Sequence, residues 1–169
     1  VHSDPAFAKL QGSFKPSRPM RTPVWHSGFV VPQRAAAAHT PRSDHLLVSA
    51  GGGIVGDALF RAAIGAHRIT QRPIRIVAGP FLPEPQWQAL QTVAAPLPGV
   101  TLLRHVGDLA AEMRAARASI SQCGYNTALD LVVSEVPALV VPYGTVTENE
   151  QRHRAQRLAA IGAVLCLNE

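Results

Sequence analysis

Long apolar runs, aromatic residues and cysteines are all scarce in this sequence, and each scarcity excludes a class of protein. No run of 18 apolar residues occurs, so we expect no membrane-spanning helix. Aromatic residues make up only 5% of the chain and no RNA- or DNA-binding motif is found, so nucleic acid is not an expected partner. The two cysteines, Cys123 and Cys166, lie in apolar contexts that do not suggest a disulfide framework, which favours a cytoplasmic protein.

The sequence also lacks an initiator methionine and has few lysines. Its first ten residues have neither the charged flank nor the apolar centre of a signal peptide, and we expect a piece of a longer chain. Fourteen arginines and two lysines, against 11 acidic residues, produce a net charge of +5. Because the arginines are dispersed, we interpret most of them as solvated surface, with a modest preference for phosphate-bearing ligands or a membrane surface.

Residues 1–45 contain six prolines, which disfavour long helices and strands. The apolar run from Trp25 to Pro32 is the exception, and it resembles a final strand. Residues 33–45 are typical of a linker. We predict that residues 1–45 are the tail of a preceding domain followed by this linker, and that residues 46–169 form a second domain.

Short apolar strands alternate with helical segments from residue 46 onward. This alternation predicts an α/β fold, a Rossmann-like three-layer domain with a six-stranded parallel sheet. Right-handed crossovers favour the strand order 3-2-1-4-5-6, which places strands 1 and 4 side by side. The predicted strands are Leu46–Ser49, Ile74–Ala78, Val100–Leu103, Ala118–Ser121, Ala138–Val141 and Ala163–Leu167. The predicted helices are Asp57–His67, Glu84–Ala95, Leu109–Ala116 with Asp108 as N-cap, a segment that ends at Glu135, and Asn149–Ile161.

Each of the two central strands is followed by a glycine turn. Gly51–Gly53 follow strand 1, and Cys123-Gly124 follows strand 4 at the start of a helix. Backbone N–H groups left unpaired at a helix start, together with the helix dipole, suit phosphate. We therefore predict the nucleotide end of a donor-substrate site here, with the two turns facing each other where ligands of open α/β sheets bind.

The first glycine turn has two other interpretations. Residues 51–56 match the G-x-G-x-x-G fingerprint of dinucleotide-binding domains. That fingerprint requires an acid at the end of the second strand, whereas here Gly79-Pro80 ends the strand and the first acid is Glu84. A Rossmann oxidoreductase is therefore a disfavoured alternative. A tight turn that binds no ligand is the other.

Three polar side chains are candidates for contacts with the rest of a donor. Asp130 lies six residues after Gly124, where a carboxylate can accept hydrogen bonds from two ribose hydroxyls; an exposed helical charge is the alternative. Glu150 and Gln151 follow strand 5 and offer an acceptor and a donor for sugar hydroxyls. Thr147 with Glu150 also fits a capping box.

The remaining candidates favour structural interpretations. Cys123 lies on a strand-to-helix turn like a nucleophile elbow, but no partner histidine can be assigned, and we interpret it as a small buried residue. The seven histidines lack metal-ligand spacing, so neither a metal site nor a cofactor is predicted. The solvated side of the last helix is predicted to carry Arg152, Arg154 and Arg157.

The segment GYNTALDLVVSEVPALVVPYGTVTENEQRHRAQRLAAIGA resembles the donor-binding domain of GT-B fold glycosyltransferases, especially family 28. It is most similar to bacterial glycosyltransferases with a G-G-Y-N-T turn and an A-L-V-V-P strand. The resemblance covers roughly residue 25 to the end. It implies the C-terminal half of a GT-B fold, whose complete enzyme would transfer a hexosyl group from a nucleotide diphosphate sugar, here a uridine diphosphate sugar, to an unknown acceptor.

The resemblance also assigns roles to the matching positions. The implied contacts are Gly124, Tyr125, Asn126 and Thr127 for the donor diphosphate, Asp130 for the ribose, Val106 for the base through its backbone, Glu150 and Gln151 for the transferred sugar, and Gly51, Gly52 and Gly53 for the interdomain cleft. No metal or cofactor is implied, since the nucleotide sugar is a substrate.

Four positions depart from the family pattern. Gln122-Cys123 replaces a His-Gly pair, Arg154 replaces an asparagine, and Asp130 is shorter than the usual glutamate. The expected partner is an N-terminal acceptor-binding domain or a separate subunit, with association at the inner membrane face as a further expectation. The fragment alone is expected to be inactive, and a non-catalytic binding subunit of a split glycosyltransferase is the alternative.

Overall fold

A computed structural model describes residues 1–8, 10, 14, 16–31, 41–145 and 148–167. Parallel strands alternate with helices along the chain. The strands are β1 (Leu46–Ser49), β2 (Ile74–Val77), β3 (Val100–Leu103), β4 (Ala118–Ser121), β5 (Ala138–Val140) and β6 (Leu165–Cys166). The helices are α1 (Asp57–Thr70), α2 (Glu84–Ala94), α3 (Leu109–Ala115), α4 (Tyr125–Ser134) and α5 (Glu150–Ala160).

The six strands form one parallel sheet in the order β3-β2-β1-β4-β5-β6. The predicted fold class and strand order are therefore confirmed, and each predicted element agrees within a few residues at its ends. β1 pairs with β4 so that Ser49 lies opposite Ser121. The carboxyl ends of these two central strands thus lie side by side, and the loops that follow them leave the same edge of the sheet.

Apolar side chains on both faces of the strands hold the helices in two layers. Leu47 and Val140 pack on one face in a core that α3, α4 and α5 complete. Val48 and Ile76 pack on the other face with side chains of α1 and α2. Neighbouring residues of β1 thus belong to the cores on opposite faces of the sheet. This burial on both faces explains why the strands are continuous apolar runs in the sequence.

The predicted start of α3 is confirmed by its hydrogen bond. Asp108 has an extended backbone and its Oδ1 accepts from Ala111 N at 3.0 Å, which satisfies one of the free N–H groups at the helix start. α2 begins after Pro83 with a second proline, Pro85, in its first turn, where a missing N–H costs nothing.

The loops after β1 and β2 cross each other at van der Waals distance. Gly53 has φ +90°, and a β-carbon there would lie 2.0 Å from Ala78 O. Gly79 has φ +89°, and a β-carbon there would lie 2.5 Å from Gly51 O. Glycine is therefore required at both positions for two reasons, the backbone conformation and the close approach.

The amino-terminal segment packs beside α4 without forming a strand. The run from Trp25 to Val31 has no strand pairing in the described part of the chain, because its hydrogen bonds go to the first residues and to a side chain. Ser27 N donates to Val1 O at 3.1 Å, and Val30 N donates to Tyr125 Oη at 3.3 Å. Phe7 meets Phe29 edge to face. The expectation that this run is the final strand of a preceding domain stays a prediction.

The two-domain division at residue 45 stays a prediction. Of the predicted linker, residues 33–40 lie outside the described residues. Within the described ranges, none of the helices combines the length and apolar character needed to cross a lipid bilayer.

Candidate functional site

A cavity of about 590 Å³ opens at the carboxyl ends of the central strands. This volume lies within the usual range of small-molecule sites, about 300–1,000 Å³. Ten of the eleven residues predicted for the donor site line it. They are Gly51, Gly52, Gly53, Val106, Gly124, Tyr125, Asn126, Thr127, Asp130 and Gln151.

The two glycine turns meet across this cavity. A β-carbon added at Gly51 would lie 3.0 Å from Thr127 Oγ1, so the loop after β1 touches the first turn of α4. This closeness follows from the pairing of β1 with β4. The structure therefore brings together two turns that are about 70 residues apart in sequence.

The first turn of α4 lines the cavity and has backbone N–H groups that the helix itself leaves free. Gly124 is the N-cap residue, and Gly124 O accepts from Ala128 N at 2.9 Å, which begins the helical ladder. The N–H groups before Ala128 have no intrahelical acceptor because of their position. Neither an acidic residue in this turn nor a side-chain cap occurs among the described residues of α4. No acidic side chain of this first turn therefore offsets the positive end of the helix dipole.

Asp130 and Val106 lie on the wall of the same cavity. Asp130 is half-buried, one turn further along α4 than the first-turn amides. Val106 follows β3 and is also half-buried. His105, beside it, is exposed and lines the cavity too. The sequence analysis did not identify His105, although its place directly after a strand at the ligand-binding edge was a usable signal.

Gln151 faces the cavity from the first turn of α5. Its Oε1 accepts from Cys123 N at 3.0 Å and from Tyr143 N at 3.2 Å. The amide oxygen is therefore occupied by protein, and the side-chain NH2 is the group that can donate to a ligand. Gln151 thus joins the turn before α4 to the loop after β5.

Glu150 is the predicted site residue that the described cavity wall does not include. Its carboxylate is exposed and lies 3.9 Å from Arg154 Nη2, one helical turn away. Glu148 lines the cavity instead. Its backbone N donates to Thr145 Oγ1 at 3.0 Å. The predicted capping partner Thr147 lies outside the described residues.

Arg154 is not part of a solvated surface, so this prediction is wrong. Its side chain is 19% exposed, and its Nη1 donates to Cys123 O at 2.7 Å. Its guanidinium carbon lies 5.8 Å from the centre of the Tyr125 ring. A carbonyl that no helix or sheet satisfies at the turn before α4 explains why this arginine turns inward. Arg152 and Arg157 are exposed, as predicted.

Cys123 is buried and non-nucleophilic. Burial raises the pKa of its thiol to about 11, although the nearby Arg154 charge acts in the opposite direction. Only the thiolate is an efficient nucleophile, so the thiol is inert near neutral pH. This confirms the interpretation of Cys123 as a small buried residue. No cluster of three metal-ligating side chains occurs among the described residues.

We expect only one of the two thiols to react in the folded protein. At pH 8, Cys123 remains protonated and inaccessible, whereas Cys166 is half-buried near the end of the sheet. An aromatic disulfide reagent should therefore label one thiol in native conditions and two in denaturant. Cys166→Ser should abolish the native reaction. Equal labelling rates for both thiols in the native protein would contradict the burial of Cys123.

Sequence comparisons with known proteins find glycosyltransferases. A family model described as "Glycosyltransferase family 28 C-terminal domain" matches residues 67–169. A relative from Carboxydothermus hydrogenoformans, named UDP-N-acetylglucosamine--N-acetylmuramyl-(pentapeptide) pyrophosphoryl-undecaprenol N-acetylglucosamine transferase, is 29% identical over 75% of this chain and 34% of its own length. The protein of that name from Acetivibrio thermocellus is 32% identical over 43% of this chain and 20% of its own length. This chain thus spans about a third of the length of the first curated relative and a fifth of the second.

Solved glycosyltransferases share the fold. MurG from Acinetobacter baumannii has a TM-score of 0.61 at 22% identity, over 89% of this chain and 45% of that chain. CalG4, the calicheamicin glycosyltransferase, has a TM-score of 0.60 at 22% identity, over 96% of this chain and 38% of that chain. The spinosyn rhamnosyltransferase SpnG complexed with thymidine diphosphate has a TM-score of 0.56 at 26% identity, over 81% of this chain and 36% of that chain.

Proposed function

Because this chain belongs to the glycosyltransferase family 28 C-terminal domains, we propose that it binds the donor of a glycosyltransferase. The complete enzyme would transfer a hexosyl group from a uridine diphosphate sugar to an acceptor. The observation that carries this proposal is the first turn of α4. Its residues line a cavity of ligand size, and the glycine turn after β1 lines the other side.

The diphosphate is assigned to this first turn for electrostatic reasons. Gly124, Tyr125, Asn126 and Thr127 all line the cavity, and their backbone N–H groups lie at the positive end of the α4 dipole. Gly51 on the opposite side allows close approach because it carries no side chain, and a β-carbon there would lie 3.0 Å from Thr127 Oγ1. During transfer, negative charge builds on the departing diphosphate, and fixed amides stabilise that charge without reorganising.

The nucleoside is assigned to the half of the cavity beside β3. Asp130 would accept hydrogen bonds from the ribose hydroxyls, and the backbone of Val106 would meet the base. The curated relatives carry a UDP-sugar in their names, which supports uridine, whereas SpnG is complexed with thymidine diphosphate. Calorimetric titration with uridine diphosphate and with thymidine diphosphate compares the two affinities and thus shows which base is preferred.

The transferred sugar is assigned to the α5 side of the cavity. The side-chain NH2 of Gln151 is available as a donor, and Glu148 is among the residues that line the wall. Glu150, expected in this role, is paired with Arg154 outside the described wall. We assign the acceptor of sugar hydroxyls to Glu148, and Glu148→Gln should weaken binding of the nucleotide sugar while leaving binding of the nucleoside diphosphate unchanged.

We propose that the acceptor is bound by another part of the protein or by a partner. We assign the described residues around the cavity to the donor, and MurG and CalG4 are more than twice as long as the part that this chain matches. We propose an amino-terminal acceptor-binding domain or subunit as that partner. The curated relatives have an undecaprenol-linked acceptor in their names, which supports a location at the cytoplasmic face of a membrane.

Asp130 provides the first direct test of this function. We expect Asp130→Ala to weaken uridine diphosphate binding by roughly tenfold or more, since a charge-assisted hydrogen bond contributes about 1.5–3 kcal/mol. Calorimetry on this chain measures the change. Asp130→Asn keeps the shape and removes the charge, and it should lose most of the same affinity.

Glu135→Ala is the matched control for Asp130. Glu135 is an exposed acid at the carboxyl end of the same helix and does not line the cavity. Equal affinity in wild type and Asp130→Ala would remove the ribose assignment. A ligand that binds the folded chain raises its unfolding temperature. If no nucleoside diphosphate raised the unfolding temperature of the wild-type chain, donor binding as a whole would be contradicted.

A further inference from the structure

Both peptide groups that flank Cys123 are held by side chains of α5. Its N–H donates to Gln151 Oε1 at 3.0 Å, and its carbonyl oxygen accepts from Arg154 Nη1 at 2.7 Å. The same Gln151 oxygen accepts from Tyr143 N at 3.2 Å. Two neighbouring side chains of one helix thus hold the backbone that leads directly into Gly124 and α4.

Arg154 acts from behind this turn and not from the donor cavity. It lines a second, apolar cavity between α4, α5 and the amino-terminal segment, together with Phe7, Phe29 and Leu158. Its guanidinium also lies near the Tyr125 ring and at 3.9 Å from the Glu150 carboxylate. In such partly desolvated surroundings a hydrogen bond from a charged donor is strong and well oriented.

The planar peptide bond between Cys123 and Gly124 links the hydrogen bond from Arg154 to the orientation of the Gly124 N–H on the donor side. A trans peptide is planar, and its C=O and N–H point in opposite directions. Since Cys123 O points to α5, the N–H of Gly124 points away from α5, and Gly124 lines the donor cavity. The orientation of this peptide also sets the direction in which α4 begins. Rotation of the Cys123 carbonyl would therefore change the orientation of the N–H groups in the first turn of α4.

We propose that Arg154 is a positioning residue for the donor diphosphate. It holds the Cys123 carbonyl and thereby orients the Gly124 N–H and the first turn of α4, without contacting the donor itself. The inference rests on the proposed function, because it assigns a purpose to the orientation of those amides. It also gives Glu150 a role, that of fixing the guanidinium from the exposed side.

The binding test compares three variants with the wild-type chain. Uridine diphosphate titration of Arg154→Met is expected to show roughly tenfold weaker binding, the usual effect of one lost charge-assisted hydrogen bond. Arg154→Lys keeps one charged donor and should restore part of the affinity. Arg157→Met removes the same charge from an exposed site on the same helix and should bind as the wild type does. Wild-type affinity in Arg154→Met, or an equal loss in Arg157→Met, overturns the proposal.

A second measurement tests the positioning without any ligand. In ¹H–¹⁵N spectra of the free chain, Arg154→Met should move the Gly124 amide resonance, because a hydrogen bond to a carbonyl polarises the N–H of the same peptide. Arg157→Met should leave it in place. Should Arg154→Met not fold, Arg154→Lys is measured in the same way, since its altered donor geometry also perturbs this peptide. An unmoved Gly124 resonance overturns the proposal. A moved resonance in a chain that binds no uridine diphosphate supports the held peptide and contradicts only the proposed function.

Discussion

Asn126→Asp is expected to weaken uridine diphosphate binding by roughly a hundredfold and, at the same time, to stabilise the free protein. Asn126 is exposed, lines the donor cavity and lies in the first turn of α4. A carboxylate there would repel a diphosphate of about two charges at about 5 Å by about 3 kcal/mol, for an effective dielectric constant of about 40. The same carboxylate interacts favourably with the helix dipole, by about 0.3–1 kcal/mol.

The opposite signs of these two effects make the measurement decisive. Calorimetry gives the affinity, and denaturant unfolding of the free chain gives the stability. The affinity difference should shrink between about 0.05 M and about 0.5 M salt, because added ions screen the repulsion. Gln91→Glu changes the net charge equally on an exposed part of α2 away from the cavity and is the matched control. An Asn126→Asp variant that binds as tightly as the wild type would place the diphosphate elsewhere.

Gly53→Ala is expected to have the largest effect on stability, a loss of roughly 3–5 kcal/mol of unfolding free energy, from strained backbone and a clash. The new β-carbon would lie 2.0 Å from Ala78 O, and this neighbour is backbone that cannot rotate aside. The φ of +90° is unfavourable for alanine as well. Since the loop after β1 borders the donor cavity, any relief of the clash would also displace Gly51 from Thr127.

Gly65→Ala is the matched control for this loss. Gly65 is exposed on α1, and nothing lies within 4 Å of an added β-carbon. Alanine in a helix interior is about 0.5–1 kcal/mol more favourable than glycine, so this variant should be more stable than the wild type. Denaturant unfolding of both variants measures the difference. A Gly53→Ala protein as stable as Gly65→Ala would show that the loops after β1 and β2 do not cross closely.

Local patterns in the sequence were sufficient for the fold and for most of the cavity. Apolar runs of strand length, separated by helical segments, predict parallel strands buried on both faces, and right-handed crossovers leave few strand orders. The cap at Asp108 and the glycine turn before Tyr125 are local features that depend on neighbours in the chain. For the same reason, the meeting of the loops after β1 and β4 could be predicted once the strand order was known.

Only the tertiary structure decided which polar side chains face the cavity. Glu148 and Glu150 are two residues apart, yet Glu148 lines the cavity while Glu150 pairs with Arg154. The sequence predicts that Arg154 is a solvated helical charge. Its side chain instead turns inward and donates to the carbonyl of Cys123, 31 positions earlier. Side-chain direction in loops and the partners of backbone groups at turns depend on contacts between distant segments. Sequence periodicity carries no information about those contacts, which exist only once the sheet has assembled.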